Sequence, residues 1–227
     1  MSRPGLQRYL LKVAYDGLFF SGSQRQSHIN DGLEGAAAGL ATVQGTMEDA
    51  MSRWTRQPIT TFFASRTDAG VHALDNALHL DLQRLDKNGQ PVDDPYPGDV
   101  ILRATNANLS HRFPNYRTSG GPLRVTEAHM VAPDFNARFD VSTRQYTYYI
   151  NANTGVHKKR LFEGATVWHI DHVLDAETMR EAVKALVGTH DYTTFRSSGC
   201  QVCSFYFRET NPSGELGKDP NKDDPQL

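Results

Sequence analysis

Long hydrophobic runs are absent from the 227-residue sequence, and no apolar stretch approaches the roughly 18 residues needed to cross a bilayer. Cysteine is also scarce. Cys200 and Cys203 are the only two and lie too close together to staple a chain of this size, which favours a reducing compartment. No secretory signal is visible. We therefore expect a cytoplasmic or mitochondrial protein without a membrane partner.

A strong charge of either sign is missing as well. The net charge of −2 gives no overall attraction to nucleic acid, which argues against an indiscriminate binder of polyanions. The hydrophobic share of 38 % and charged share of 22 % are typical of a globular protein with a sizeable core. A specific RNA site remains compatible with this balance, because it depends on local charge.

The first half of the chain has clear periodic patterns. Residues 9–15 alternate apolar and other residues, as strands do, and so do residues 78–83. Residues 43–54 have apolar residues at helical spacing, and Pro58 ends this predicted helix. Residues 59–64 are rich in β-branched and aromatic side chains, which predicts a buried strand. Residues 27–41 favour a flexible loop or weak helix.

The second half again mixes strand and helix. A strand is predicted over 144–150, and apolar residues at helical spacing predict a helix that Asp175 opens and Gly188 closes. We expect an N-terminal half over 1–113, a connector rich in Pro, Gly and Ser over 114–122, and a C-terminal half over 123–210. Residues 211–227 are polar enough to predict a disordered tail.

The segment Ser65–Ala73, with the sequence SRTDAGVHA, is the most informative in the chain. It places the carboxylate of Asp68 two residues after the guanidinium of Arg66, directly behind a predicted strand. Loops at strand ends commonly carry chemistry, and Gly70 permits unusual backbone angles. By themselves these residues fit an ordinary turn better, one in which Asp68 caps or pairs with Arg66.

The whole nine-residue string resembles the active-site motif of the TruA family of tRNA pseudouridine synthases. Further matches follow in the family's order, from about Arg8 to about Arg196, and look most similar to the animal members. These matches are residues 15–17, 22–26, 43–44, 106–109, 134–139, 144–148 and 186–192.

The resemblance implies an α/β fold of the pseudouridine synthase type. In this fold two related halves, each with a mostly antiparallel sheet, join around a central active-site cleft. Family members often form homodimers that share a tRNA. The partners implied here are therefore tRNA, or another RNA, and a second copy of the chain.

The implied reaction isomerises uridine to pseudouridine and consumes no cofactor. Asp68 matches the family's catalytic carboxylate, which acts near the ribose C1′ much as carboxylates do in glycoside hydrolysis. The base must be flipped out of its stack. Arg66 matches the arginine that holds the extruded nucleotide, Tyr146 the pocket tyrosine, and Arg25 a residue of the loop that grips RNA. Tyr146 could instead be a core aromatic of its strand, an interpretation that we favour for Tyr148. Arg25 could instead lie in a solvated turn.

Several positions depart from the family's pattern. Ser23 stands where many members have Trp, and Asn136 where His is common. No basic run follows Ser198 to pair with the catalytic carboxylate, so we expect the C-terminal part to be truncated. A catalytically impaired RNA-binding form is therefore the alternative function. A zinc site formed by Cys200 and Cys203 with His72 and His79 is a second alternative, but one C-x-x-C pair is weak evidence, and we predict no metal.

Overall fold

A computed structural model of the chain describes residues 5–25, 41–116, 120–152, 166–191 and 205–207. The chain divides into two compact units after Thr147. The first unit contains strands β1 (Leu6–Tyr15), β2 (Phe62–Phe63), β3 (Ala73–Gln83) and β4 (Leu123–Val131), and helices α1 (Val43–Thr55) and α2 (Gly98–Arg112). The second contains strands β5 (Tyr149–Ala152), β6 (Val167–Ile170), β7 (Gly188–His190) and β8 (Phe205–Phe207), and helix α3 (Ala176–Lys184).

The first unit is built on one antiparallel sheet with strand order β2-β3-β1-β4. The alternation predicted in the first half fixes its register, because it places Leu11 opposite Leu78 and Tyr9 opposite Leu80. All four of these side chains are fully buried on the same face. The mixed α/β class with an antiparallel sheet is thus confirmed.

Both helices of the first unit cover that apolar face. Helix α1 begins at its N-cap Thr42, whose side chain accepts a hydrogen bond from Gly45 N, and presents Met47 and Met51 to the core. Helix α2 contributes Ile101 and Leu109. The predicted helix over 43–54 is confirmed as α1, whereas α2 and β4 were not predicted.

Asn106 joins α2 to β4 by completing hydrogen bonds that a neighbouring strand would otherwise supply. Its side-chain amide donates to Val125 O and its carbonyl accepts from Val125 N, each at 2.8 Å. Strand β4 is bulged opposite Lys12 and Val13 of β1. The amide therefore pairs backbone groups at a point where the strand ladder is irregular.

The opposite face of the sheet is polar at its centre and apolar towards β2. Ion pairs there join Arg8 to Asp81 and Lys12 to Asp75. Near β2, the ring of His79 stacks on Phe62 with centroids 5.0 Å apart, and its Nδ1 accepts a hydrogen bond from Ala137 N at 3.1 Å. The segment after β4 is thereby fastened to this face, which leads the chain back towards the loop between β2 and β3.

The second unit has short strands and one helix. Strand β5 pairs with β6 in parallel, and β7 pairs with β8 antiparallel. Asp175 caps α3 as predicted, but the helix ends at Lys184 and Gly188 begins β7 instead of closing the helix. None of the described side chains of this helix is buried. The strand predicted over 144–150 is present only from Tyr149. The prediction that Tyr148 is a core aromatic is wrong, because this residue precedes β5 and is exposed.

Four sequence-based expectations stay predictions. The predicted loop over 27–41 lies almost wholly outside the described residues, and the predicted tail over 211–227 lies entirely outside them. The boundaries of the two family halves, with the connector over 114–122, stay a prediction. Their joining around a cleft stays one too. In the structure β4 pairs with β1, so the first unit continues beyond that connector.

Candidate active site

Asp68 lies on the loop that connects β2 to β3. The two strands pair directly, with Phe63 opposite Leu78, so the loop leaves and re-enters the same edge of the sheet. Its tip is a turn in which Asp68 O accepts a hydrogen bond from Val71 N at 3.2 Å, and Gly70 takes a positive φ of 81°. This backbone places the side chain of Asp68 in solvent.

Asp68 and Arg66 both present exposed charged groups on this loop. Within the described residues, no hydrogen bond or ion pair occupies either side chain, and the two do not pair with each other. The turn expected from the sequence is present. The pairing of Asp68 with Arg66, which the ordinary-turn interpretation offered, is not.

Ser23 fixes the backbone of the loop immediately before Asp68. The hydroxyl of this buried serine accepts a hydrogen bond from Thr67 N at 2.7 Å and donates to Thr67 O at 3.3 Å. Ser23 N donates to the same carbonyl at 2.9 Å. Both polar backbone groups of Thr67 are therefore held by one residue from another segment.

Tyr15 and Asn76 hold the loop from its other side. Asn76 donates from Nδ2 to Ser65 O and to the hydroxyl of Tyr15, each at 3.0 Å. The hydroxyl of Tyr15 lies 2.9 Å from Thr67 Oγ1. Because Tyr15 and Asn76 are buried at the ends of β1 and β3, the loop is anchored to the rigid part of the sheet.

The returning arm of the loop, which contains Val71 and His72 and leads back to β3, packs against the turn that follows β1. A Cβ added to Gly17 would lie 2.2 Å from Val71 O, so no larger residue fits there without displacing backbone. The ring of His72 pairs with Asp16, whose Oδ1 lies 3.0 Å from its Nδ1. Gly22, with φ of 110°, leads the chain into Ser23. Asp16, Gly17 and Gly22 thus form the surface on which the loop packs.

Tyr146 lies beside the same loop, with its hydroxyl 3.2 Å from Ser65 Oγ. Its ring is 62 % exposed. Arg144 places this segment by donating to Ala64 O at 3.0 Å and to Arg138 O at 3.2 Å. The structure therefore brings Tyr146 to the loop that carries Arg66 and Asp68, although 78 positions separate Tyr146 from Asp68 in sequence.

Arg25 follows Ser23 by two residues and is held close to the start of α1. Its Nη2 lies 3.3 Å from Glu48 Oε2, and its backbone N donates to Gln44 Oε1 at 2.9 Å. Glu48 is largely buried, and its Oε1 accepts from Thr61 N at 2.9 Å and Gln44 Nε2 at 3.1 Å. About half of the Arg25 side chain stays exposed. Arg25 is thus oriented by a fixed carboxylate and still open to solvent.

The residues considered for a metal do not assemble in the described part of the chain. His72 pairs with Asp16, and His79 is a strand residue packed on Phe62. Burial lowers the pKa of His79, and the positive charge of Arg8 lowers it further. Among the residues that the structure describes, no three His, Cys, Asp or Glu side chains are grouped as a metal site requires. Cys200 and Cys203 lie outside the described residues.

The braces of the loop were not predicted as site residues. Ser23 lies 44 positions from Thr67, and Asn76 lies 11 positions from Ser65, so no local periodicity connects them. The one available signal was the departure from the family's pattern at Ser23. That departure marked a changed side chain without indicating its contact.

The site thus consists of a carboxylate on a loop of an antiparallel sheet, beside an exposed tyrosine. Similarity to known proteins identifies the family. No protein-family model matches the chain. The tRNA pseudouridine synthase A of Rhodospirillum centenum is 37 % identical over 199 residues, which are 88 % of this chain and 68 % of the relative. That of Methylobacterium nodulans is 36 % identical over 200 residues, 88 % of this chain and 65 % of the relative.

A third relative, the tRNA pseudouridine synthase A of a Caulobacter species, is 34 % identical over 199 residues, 88 % of this chain and 67 % of its own length. The chain belongs to the TruA family of tRNA pseudouridine synthases. It spans about two thirds of the length of these relatives. Because the three relatives are bacterial, the similarity to animal members stays a prediction. Within the described ranges, no helix is long and apolar enough to span a membrane.

Proposed function

We propose that this chain isomerises uridine to pseudouridine in tRNA. In this reaction the bond from N1 of uracil to the ribose C1′ breaks, the base turns, and C5 forms a bond to the same C1′. The proton on C5 leaves and one is gained at N1, so atoms balance without a cofactor. A carboxylate that traps or stabilises an electron-poor C1′ is the group that this chemistry needs.

The exposed carboxylate of Asp68, presented on a braced loop, is the single observation that carries the proposal. Its side chain has no partner among the described residues, while the backbone before it is held by buried groups. A catalytic group must be accessible to substrate and yet restricted in position. Asp68 is accessible and the backbone that leads into it is held, which supports the assignment.

Tyr146 and Arg66 are proposed to bind the flipped nucleotide. The exposed ring of Tyr146 offers an aromatic surface that can replace stacking lost from the RNA, and its hydroxyl can assist proton removal at C5. Arg66 projects from the same loop and can pair with a phosphate next to the target base. Both assignments follow the resemblance, and the contact of Tyr146 with Ser65, the residue before Arg66, supports them.

Arg25 is proposed to contact the RNA backbone farther from the target base. Glu48 lies 3.3 Å from its guanidinium and restricts its direction, while the exposed half of the side chain can approach a phosphate. The competing interpretation is a solvated turn. The neutral variant Arg25→Gln distinguishes the two. If Arg25 contacts a phosphate, its loss weakens tRNA affinity and lowers the dependence of that affinity on salt, whereas a solvated turn predicts no change.

The decisive experiment is to incubate the purified chain with a tRNA transcript free of modifications and map pseudouridine. We expect product with the wild type and a loss of rate by about 10⁴-fold or more with Asp68→Asn. Asp99→Asn, an exposed carboxylate on α2, is the matched control and should retain the wild-type rate. RNA binding without any Asp68-dependent product would instead favour the impaired RNA-binding form.

The assembly and compartment belong to the same proposal. We propose that the chain forms a homodimer and acts in the cytoplasm or the mitochondrion. Sedimentation of the free protein and of its tRNA complex would measure the number of chains. Imaging of a tagged chain against mitochondrial and cytosolic markers would distinguish the compartments. A monomeric tRNA complex would remove the homodimer from the proposal.

A further inference from the structure

We propose that Ser23 is a positioning residue for the reaction, which it serves by fixing Thr67 and thereby the backbone that carries Asp68. The inference rests on the proposed function and deepens it. Ser23 is 1 % exposed and has no access to a flipped base from its buried position. Any effect on the chemistry must therefore pass through the loop.

The contact geometry restricts one particular residue. Thr67 is held at its N by Ser23 Oγ, at its O by Ser23 N and Oγ, and at its side chain by the hydroxyl of Tyr15. The peptide carbonyl of Thr67 belongs to the bond that leads directly into Asp68. Fixing both sides of Thr67 therefore fixes the peptide plane that leads into Asp68 and restricts the directions open to its side chain, although the turn beyond it contains Gly70.

Tyr15 and Asn76 strengthen this arrangement because the hydrogen bonds form a connected set. Asn76 donates to Tyr15, which leaves the hydroxyl proton of Tyr15 available for Thr67 Oγ1. All three anchoring side chains are buried, so water cannot easily replace a lost contact. Removing the hydroxyl of Ser23 leaves Thr67 N without its acceptor and loosens the loop at the point nearest the carboxylate.

Ser23 also links the two regions proposed to contact RNA. It precedes Arg25 by two residues in a segment that Gln44 and Glu48 hold against α1. The segment that holds Thr67 therefore also carries the residue proposed to contact the RNA backbone.

The test compares Ser23→Ala with Ser52→Ala. Ser52 is a suitable control because its hydroxyl likewise accepts a hydrogen bond from a backbone N, that of Ile59 at 3.3 Å, but lies on α1 away from the loop. We expect Ser23→Ala to lower kcat by about tenfold to a hundredfold with KM for tRNA within about twofold of wild type. Ser52→Ala should leave kcat unchanged, and Ser23→Thr, which keeps the hydroxyl, should recover most of the rate.

Amide hydrogen exchange provides a readout that does not depend on activity. In Ser23→Ala we expect faster exchange in residues 65–73, above all at Thr67, with unchanged exchange in α1 and β1. Wild-type kcat and exchange in Ser23→Ala would overturn the inference. So would a fall in kcat matched by Ser52→Ala at equal loss of thermal stability. If the wild-type chain forms no pseudouridine, the proposed function fails. The rate of amide exchange at Thr67 in Ser23→Ala still tests whether Ser23 holds Thr67 in place.

Discussion

The two units of the chain differ in what their secondary structure achieves. In the first unit, side chains from β1, β3, β4, α1 and α2 form one buried core. In the second, α3 has a well-formed N-cap at Asp175, yet Met179 and Val183 on its apolar stripe are 43 % and 52 % exposed. Local sequence rules suffice to form a helix in both. Only in the first unit do the described elements bury the face that those rules create.

The largest difference between the units should appear when apolar side chains are truncated. Leu80 of β3 is fully buried, so Leu80→Ala should lower the free energy of unfolding by about 2–5 kcal/mol. Met179→Ala in α3 should change it by no more than about 0.5 kcal/mol. Urea denaturation followed by circular dichroism measures both. Equal losses at the two positions would show that the contrast in burial is wrong.

The brace of the Asp68 loop should rank second. Asn76→Ala removes the hydrogen bonds to Ser65 O and Tyr15 and leaves buried groups unpaired, which should cost about 1–3 kcal/mol of stability. Asn108→Ala is the control, because among the described residues Asn108 donates only to Ala104 O of its own helix. The pair is measured by urea denaturation. A smaller loss for Asn76→Ala than for the control would contradict the buried brace.

A local effect is expected at the start of α3. The Asp175 carboxylate accepts hydrogen bonds from Glu177 N and from Thr178 N and Oγ1, and these contacts lower its pKa. Asp175→Ala should therefore speed amide exchange severalfold at Glu177 and Thr178. Exchange in α1 should not change. Unaltered exchange at those two amides would mean that the cap contributes little to this exposed helix.

The smallest expected effect is a pH dependence in the first unit. Burial and Arg8 hold the pKa of His79 below its ordinary value of about 6.5. The unfolded chain then binds more protons as the pH falls, so stability from neutral His79 is complete above about pH 6.5 and is lost towards the lowered pKa. Between about pH 7 and pH 5, wild type should lose more stability than His79→Asn, which can still accept from Ala137 N. Parallel pH profiles would contradict this.

Much of the first unit could be predicted from its sequence, because its patterns are strong. Strand β1 and helix α1 have apolar residues at regular spacing with clear boundaries, and both were found close to their predicted positions. Helix α2 escaped prediction because its fully buried apolar positions are few, chiefly Ile101 and Leu109, and Asn106 acts by joining β4. The strand predicted over 59–64 shortens to β2, since only Phe62 and Phe63 pair with β3. The prediction that it is buried is wrong, because β2 lies at the edge of the sheet and Phe62 is exposed.

In the site, too, some residues could be predicted from the sequence and others could not. The resemblance singled out Asp68, Arg66, Tyr146 and Arg25, and the structure places Tyr146 against the loop of the first two. The roles of Ser23 and Asn76 could not be predicted, since each depends on a hydrogen bond to a backbone group in another segment. Sequence spacing predicts faces of helices and strands, but it contains no signal for such cross-segment contacts.

Gly17 illustrates how a position without a side chain can limit which variants are tolerated. Val71 O occupies the space where its Cβ would be, at 2.2 Å, so even alanine would push the returning arm of the Asp68 loop outward. In a scan of all single substitutions scored by product formation, position 17 should thus be as intolerant as a reacting residue. Its neighbour Leu18, half exposed, should accept most replacements. The tolerance of each position in this turn to substitution would therefore show which of them contact the Asp68 loop.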